Sequence, residues 1–277
     1  MTYENSFAAI GDALKAGNLV PYLGPNIFDL YGESCAIPRS SEELVNAICA
    51  KVAAPGRIRR ELSRVAQYVE SNKHRQTLDR ILQETFNHDL PATALHQWLV
   101  SQDKIALIVD AWYDKSCAQA FQSRKDWGEI QGISHPQSNG QWVQFFDADQ
   151  KEVSAETADS WKTVLYKPNG SVSPVGNFLI SDSDFVEMLT EIDIQTPIPD
   201  IVQTRRTGKN FLYIGCRFDA ELKRTFARQI SKRSSDQHWA ILPDEPTAKE
   251  QRFLETYNIT PLFMTMEEAV NALQALS

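Results

Sequence analysis

An α/β fold, a Rossmann-like doubly wound parallel sheet with a helical insertion, is expected from three features of the chain. Leu19-Val20-Pro21-Tyr22-Leu23 places four apolar residues in five positions between Gly17 and Gly24, which suits a first strand covered on both faces. Ile105-Ala106-Leu107-Ile108-Val109 repeats that signature and runs into an acidic, aromatic corner, Asp110 to Asp114. The last third then alternates strand and helix without interruption, the rhythm of right-handed parallel crossovers.

The elements follow in order. Ser6 caps an N-terminal helix with Phe7, Ile10 and Leu14 at helical spacing, closed by Gly17. Beyond the first strand, Ser40-x-x-Glu43 is a capping box that opens a run of helices. Stripes at Leu44, Ile48 and Val52, at Leu62, Val65, Ala66 and Val69, at Leu78, Ile81, Leu82 and Phe86, and a short helix from Leu95 to Val100 make residues about 41–100 a helical layer. Residues about 122–160 read as an irregular excursion, polar and glycine-bearing, with one small strand at Trp142 to Phe146. Trp161 to Tyr166 is a strand ending in the turn signal Lys167-Pro168-Asn169-Gly170-Ser171. Phe178 to Ile180 precedes an acidic cap for a helix from Phe185 to Ile192. Phe211 to Ile214, His238 to Leu242 and Pro261 to Met264 are strands; the helices between and after them carry Leu222, Phe226 and Ile230, run from Pro246 to Tyr257, and end the chain from Met266 to Leu276. With no repeat and no low-complexity linker, residues 1–277 read as one domain.

Composition narrows the function. A formal charge of −8 opposes nonspecific attraction to nucleic acid or anionic membrane. Neither a signal-peptide pattern nor 18 consecutive apolar residues is present, which points to a cytoplasmic protein. Cys35, Cys49, Cys117 and Cys216 are scattered without ligand spacing, so no metal site is expected. The corner Gly24-Pro25-Asn26 has the position of a phosphate loop, yet Pro25 has no N–H to donate and the Asn26 side chain narrows the approach.

Several corners together resemble the SIR2-like, sirtuin-related family, in its bacterial branch lacking the zinc lobe. Gly17 to Asn26 is similar to its first strand and Gly-Ala-Gly loop, and Leu62 to Tyr68 and Leu95 to Leu99 to recurring helices. Ile108 to Asp114 resembles the strand ending Thr-Thr-Asn-Tyr-Asp, Tyr166 to Ser171 the His-Gly segment, and Phe211 to Asp219 the late strand and loop near the nucleotide. The resemblance implies cleavage of the nicotinamide bond of NAD, with an Asn that positions water or ribose and a His as general base. Trp112 and Asn169 stand at those two positions. An indole has no acceptor and a carboxamide no useful basicity, and losing a positioned base costs about 100- to 10,000-fold in rate.

No catalytic residue is therefore expected; were activity retained, Asp114 and Asp110, or His135, would have to supply it. Gly24, Pro25, Asn26, Tyr113, Asp114, Gly170, Gly215 and Asp219 are the nucleotide-facing candidates, with either no cofactor or weak binding of NAD or an adenine nucleotide. Trp112 is expected to plug the former nicotinamide pocket or to serve as a stacking platform, and His96 to be a structural histidine. Trp127, Trp142 and Phe145 are candidate anchors for a protein partner, and Arg224, Arg228 and Lys232, spaced by four, form a basic stripe that could dock an acidic one. The leading expectation is a catalytically degenerate accessory, protective or assembly factor bound to a larger enzyme complex; family association suggests a bacterial metalloenzyme such as nitrogenase. The alternatives are an NAD hydrolase or NAD-dependent deacylase with substituted residues, and a non-hydrolysing nucleotide sensor.

Overall fold

A computed structural model describes residues 3–134, 141–194 and 198–276. His135 lies outside the described residues. In chain order the helices and strands are α1 (Tyr3–Lys15), β1 (Leu19–Leu23), α2 (Ser41–Lys51), α3 (Leu62–Lys73), α4 (Arg75–Phe86), α5 (Ala94–Ser101), β2 (Leu107–Asp110), α6 (Ser116–Ala120), β3 (Trp127–Gly132), β4 (Val143–Asp147), β5 (Glu152–Val153) and β6 (Thr163–Lys167). They continue with β7 (Gly170–Ser171), β8 (Asn177–Phe178), α7 (Asp182–Ile194), α8 (Asp200–Arg206), β9 (Asn210–Ile214), α9 (Glu221–Ile230), β10 (His238–Leu242), α10 (Ala248–Thr256), β11 (Ile259–Phe263) and α11 (Met266–Gln274).

Nine strands form one sheet in the order β11-β10-β9-β1-β2-β6-β3-β4-β5, and β7 and β8 make a separate hairpin. The sheet is parallel from β11 through β3; only β4 and β5 run antiparallel. Side chains alternate along each strand between two cores. Leu19, Leu23, Ile108, Leu165, Leu212 and Ile241 meet the layer containing α1 to α6 and α11, whereas Val20, Tyr22, Val109, Val164, Tyr213 and Leu242 meet α7 to α10. That is the doubly wound arrangement. The capping box at Ser40 forms as expected, its hydroxyl accepting from the Glu43 N–H at 3.1 Å.

Because β1 sits between β2 and β9, the chain winds outward on one side of β1 and later returns to build the other. Such a reversal leaves a crevice at the carboxyl ends of the central strands. Two glycines hold it tightly. A Cβ on Gly24 would lie 2.5 Å from the Gly215 carbonyl oxygen, and one on Gly215, where φ is +68°, would lie 2.5 Å from the Ile27 nitrogen.

Within the segment expected as an irregular excursion, the described residues include three strands of the main sheet, where one small strand was expected. β3 pairs parallel with β6 and antiparallel with β4, and β5 closes that edge. The pattern hid it because β3 reads Trp-Gly-Glu-Ile-Gln-Gly, with polar residues where a buried strand normally carries aliphatic ones. Gly128 is there for room: a Cβ would lie 2.3 Å from the Trp161 indole. Helix α8 was not expected from the sequence.

Candidate functional site

A cavity of about 490 Å³ opens at the carboxyl ends of the central strands. Gly24 and Pro25 after β1, Ala111, Trp112 and Tyr113 after β2, Asn169 after β6, and Cys216 to Asp219 after β9 contribute to its wall. The helical layer adds Ser41 and residues 60–64, and the opposite layer adds Asp182, Phe185 and Val186 of α7 and Ala220 to Lys223, Phe226 and Ala227 at the start of α9.

Trp112 does not plug this space. Its indole N–H donates to the Pro38 carbonyl at 3.0 Å, and its ring packs edge-on against Phe86 with centroids 5.6 Å apart, so it forms wall and leaves the cavity open. Asn169 is fixed in the wall too. Its amide donates to the Ala111 carbonyl at 2.9 Å, and its Oδ1 is buried without a partner among the described residues.

The first corner has spent its donors. The Gly24 N–H donates to the Ile214 carbonyl at 2.9 Å, the Asn26 N–H to the Gly215 carbonyl at 3.0 Å, and the Ile27 N–H to Gly24 at 3.3 Å. Pro25 has none. The Asn26 side chain turns away to the Arg39 carbonyl. The pyrophosphate of a dinucleotide therefore has no backbone cradle at this corner, and NAD does not fit there in the manner of a glycine-rich phosphate loop.

The second corner stands on a clamp that the sequence reading missed. Glu250, on α10 and 1% exposed, accepts from Arg217 Nε at 3.0 Å and Nη2 at 2.9 Å, from the Phe218 N–H at 2.9 Å, and from Thr247. Burial alone would raise its pKa, but these donors hold it down to about 2. Thr247-x-x-Glu250 is a capping box and so was readable as such; its long-range partner Arg217 was not.

Asp110 and Asp114 do not reach the cavity wall; both are buried behind it. Lys167 Nζ donates to Asp110 Oδ2 at 2.6 Å, and the two side chains are 1% and 2% exposed. In the sheet, Gln131 stands beside Lys167, and its amide donates to Glu129 at 2.8 Å. Three carboxylates, Asp110, Asp114 and Glu129, surround the one ammonium, which they hold above its ordinary pKa against the effect of burial. Burial raises Asp110 to about 6 and Glu129 to about 7. His96 is fully buried, with Nδ1 accepting from the Thr93 N–H in a helix cap and Nε2 without a partner among the described residues, and burial pushes its pKa down to about 4. Among the described residues no cluster of His, Cys, Asp or Glu could hold a metal ion.

Of the remaining candidates, Gly24, Pro25, Tyr113 and Asp219 share the cavity wall, whereas Asn26, Gly170 and Gly215 shape the corners behind it. Trp127 is 1% exposed and packs against Phe121, which corrects its reading as a docking anchor: its strand is interior, not a loop. Trp142 and Phe145 pack partly buried on the core. Arg224 donates to the carbonyls of Phe218 and Asp219, and Arg228 lies over the Tyr257 ring, so two members of the basic stripe are engaged within the chain.

A family model described as the SIR2-like domain matches residues 106–262, more than half of the chain. The chain belongs to the SIR2-like family. The match spans the corner at Trp112, the turn at Asn169, and Gly215 to Asp219, so the SIR2-like assignment covers most of the strand ends around the cavity. Among solved structures, one titled "Structural Basis for the Mechanism and Regulation of Sir2 Enzymes" aligns over 98% of this SIR2-like chain and 98% of its own, at 9% identity and a TM-score of 0.41. Comparison with curated proteins finds no match. No helix among the described residues is long and apolar enough to cross a membrane.

Proposed function

We propose that this SIR2-like protein binds a nucleotide-class ligand at the switch point without cleaving it, and works as a sensor or binding module. The observation that supports this reading is an open cavity of about 490 Å³ in which Trp112 and Asn169 stand at the two family positions for chemistry. A cavity of that size lies within the usual range for small-molecule sites, roughly 300–1,000 Å³. Neither side chain can take a proton, and both are tied to backbone carbonyls. Asp110 and Asp114, the fallback groups, are buried behind the wall and engaged there. A partner protein would read the bound state through the cavity rim, since Trp127 is interior.

The test pairs binding with turnover. Purified protein is titrated with adenine nucleotides by calorimetry and incubated with NAD at high protein load while nicotinamide is followed. Saturable binding with no nicotinamide release is expected. Release that disappears in Asp114→Ala would replace this reading with that of an NAD-cleaving enzyme.

A further inference from the structure

We infer that the cavity takes a neutral, planar ligand of nucleoside size, recognised through its ring and not through a pyrophosphate. This rests on the binding reading above and names the ligand that such a site would select. The first ground is the accounting of donors at the first corner, where the N–H groups of Gly24, Asn26 and Ile27 already serve protein carbonyls and Pro25 has none. The side of Gly24 that a Cβ would occupy is closed as well, with the Gly215 oxygen and Cys216 Sγ 2.5 and 2.8 Å from that place.

Charge in the wall supplies the second ground. Arg60, Arg64, Arg217 and Lys223 contribute four cations, and Glu61, Asp182, Asp219 and Glu221 four carboxylates. Most of the cations are matched locally: Arg64 pairs with Glu61 at 2.9 Å, Lys223 with Asp219 at 2.8 Å, and Arg217 with Glu250. The helices that start at the cavity carry their own compensation, with Glu61 at the N-cap of α3, Glu221 in the first turn of α9 and Asp182 in that of α7. A dinucleotide bearing two phosphate charges would find no backbone cradle at the first corner and no net positive field. Six of the wall residues are aromatic: Tyr22, Trp112, Tyr113, Phe185, Phe218 and Phe226.

The experiment compares adenosine, adenosine monophosphate, ADP-ribose and NAD by calorimetry, at low salt and at about 0.5 M salt, where exposed charge interactions are screened. Adenosine is expected to bind at least as tightly as the phosphorylated compounds, with an affinity that salt leaves unchanged. Each charge-assisted hydrogen bond of a working phosphate cradle would add about tenfold in affinity. ADP-ribose or NAD binding about tenfold or more tighter than adenosine, or adenosine binding abolished by salt, would overturn the inference while leaving the binding reading intact. Binding of none of the four would overturn both. Val186→Trp, at an exposed position on α7 that lines the mouth, is expected to abolish adenosine binding without lowering Tm; unchanged binding would place the ligand elsewhere and sink the assignment.

Discussion

The two wings of the sheet on either side of β1 bury polar groups in opposite ways. On the β9-β10-β11 side each such group serves backbone, beside side-chain contacts such as that of Glu250 with Arg217. Glu250 caps α10 and holds the Phe218 N–H, Arg206 donates to the Gln229 and Ile230 carbonyls at the end of α9, and His238 Nδ1 accepts from the Phe211 N–H. On the β2-β6-β3 side the buried groups serve one another across three strands, with Lys167, Asp110, Glu129 and Gln131 side by side. Local pairing tolerates the loss of a member because backbone groups can find other partners. A shared cluster does not, since the ammonium that pairs with Asp110 also favours the charged form of Glu129.

The sharpest way to break that contrast is Lys167→Met. It leaves the Asp110 carboxylate buried without its ammonium and should cost about 3–5 kcal/mol in denaturant unfolding; a loss of about 2 kcal/mol or less would put the cluster level with the other wing. Next comes pH. Glu129 has a folded pKa of about 7 against an ordinary 4.5, so the folded state binds the extra proton between those values. Its contribution is complete below about pH 4.5 and is lost as pH rises through 7, on the order of 2–3 kcal/mol. Glu129→Gln should remove that decline, measured as unfolding free energy at pH 5 and pH 8. His96 acts with the opposite sign, since its folded pKa of about 4 lies below the ordinary 6.5 and its contribution disappears on acidification through that window.

On the other wing, Glu250→Ala should cost about 2 kcal/mol, because it strips a charged acceptor from the Phe218 N–H and Arg217. Ligand affinity should fall with it as the second corner loosens; Glu250→Ala protein that binds as the wild type does would show that the corner holds its shape unaided. The smallest effect is expected for Arg228→Ala, below about 1 kcal/mol for an exposed cation over a ring. A larger loss would make the basic stripe part of the fold.

Legibility in the sequence follows the same division. The strands of the β9-β10-β11 wing were readable to within two residues, since each is an apolar run between turn signals, and the helix expected from Pro246 to Tyr257 is α10. β3 was not readable because it buries Glu129 and Gln131, which bond to each other and to Gln150 and Ser173 in distant turns, where a buried strand normally carries aliphatic residues. The site divided likewise. Gly24, Trp112, Tyr113, Asn169 and Asp219 stand at strand ends that pattern could locate, whereas residues 60–64 and α7 reach the cavity only through the packing of the two helical layers, one on each face of the sheet. Their own stretches carry ordinary amphipathic stripes, which say where a helix turns inward and nothing of what its first turn faces.

The placement of β1 also constrains how the chain can be made. β1 pairs with β2 on one edge and with β9 on the other, from Leu19 beside Asn210 to Leu23 beside Ile214. During synthesis from the N-terminus its second edge stays unpaired until some 190 further residues have emerged. Leu-Val-Pro-Tyr-Leu is an apolar edge of the sort that recruits other chains. Pro21 does not interrupt that waiting row, because its missing N–H faces β2: Leu23 accepts from Ala111 on the β2 edge, whereas Asn18 and Gly24 bond to β9.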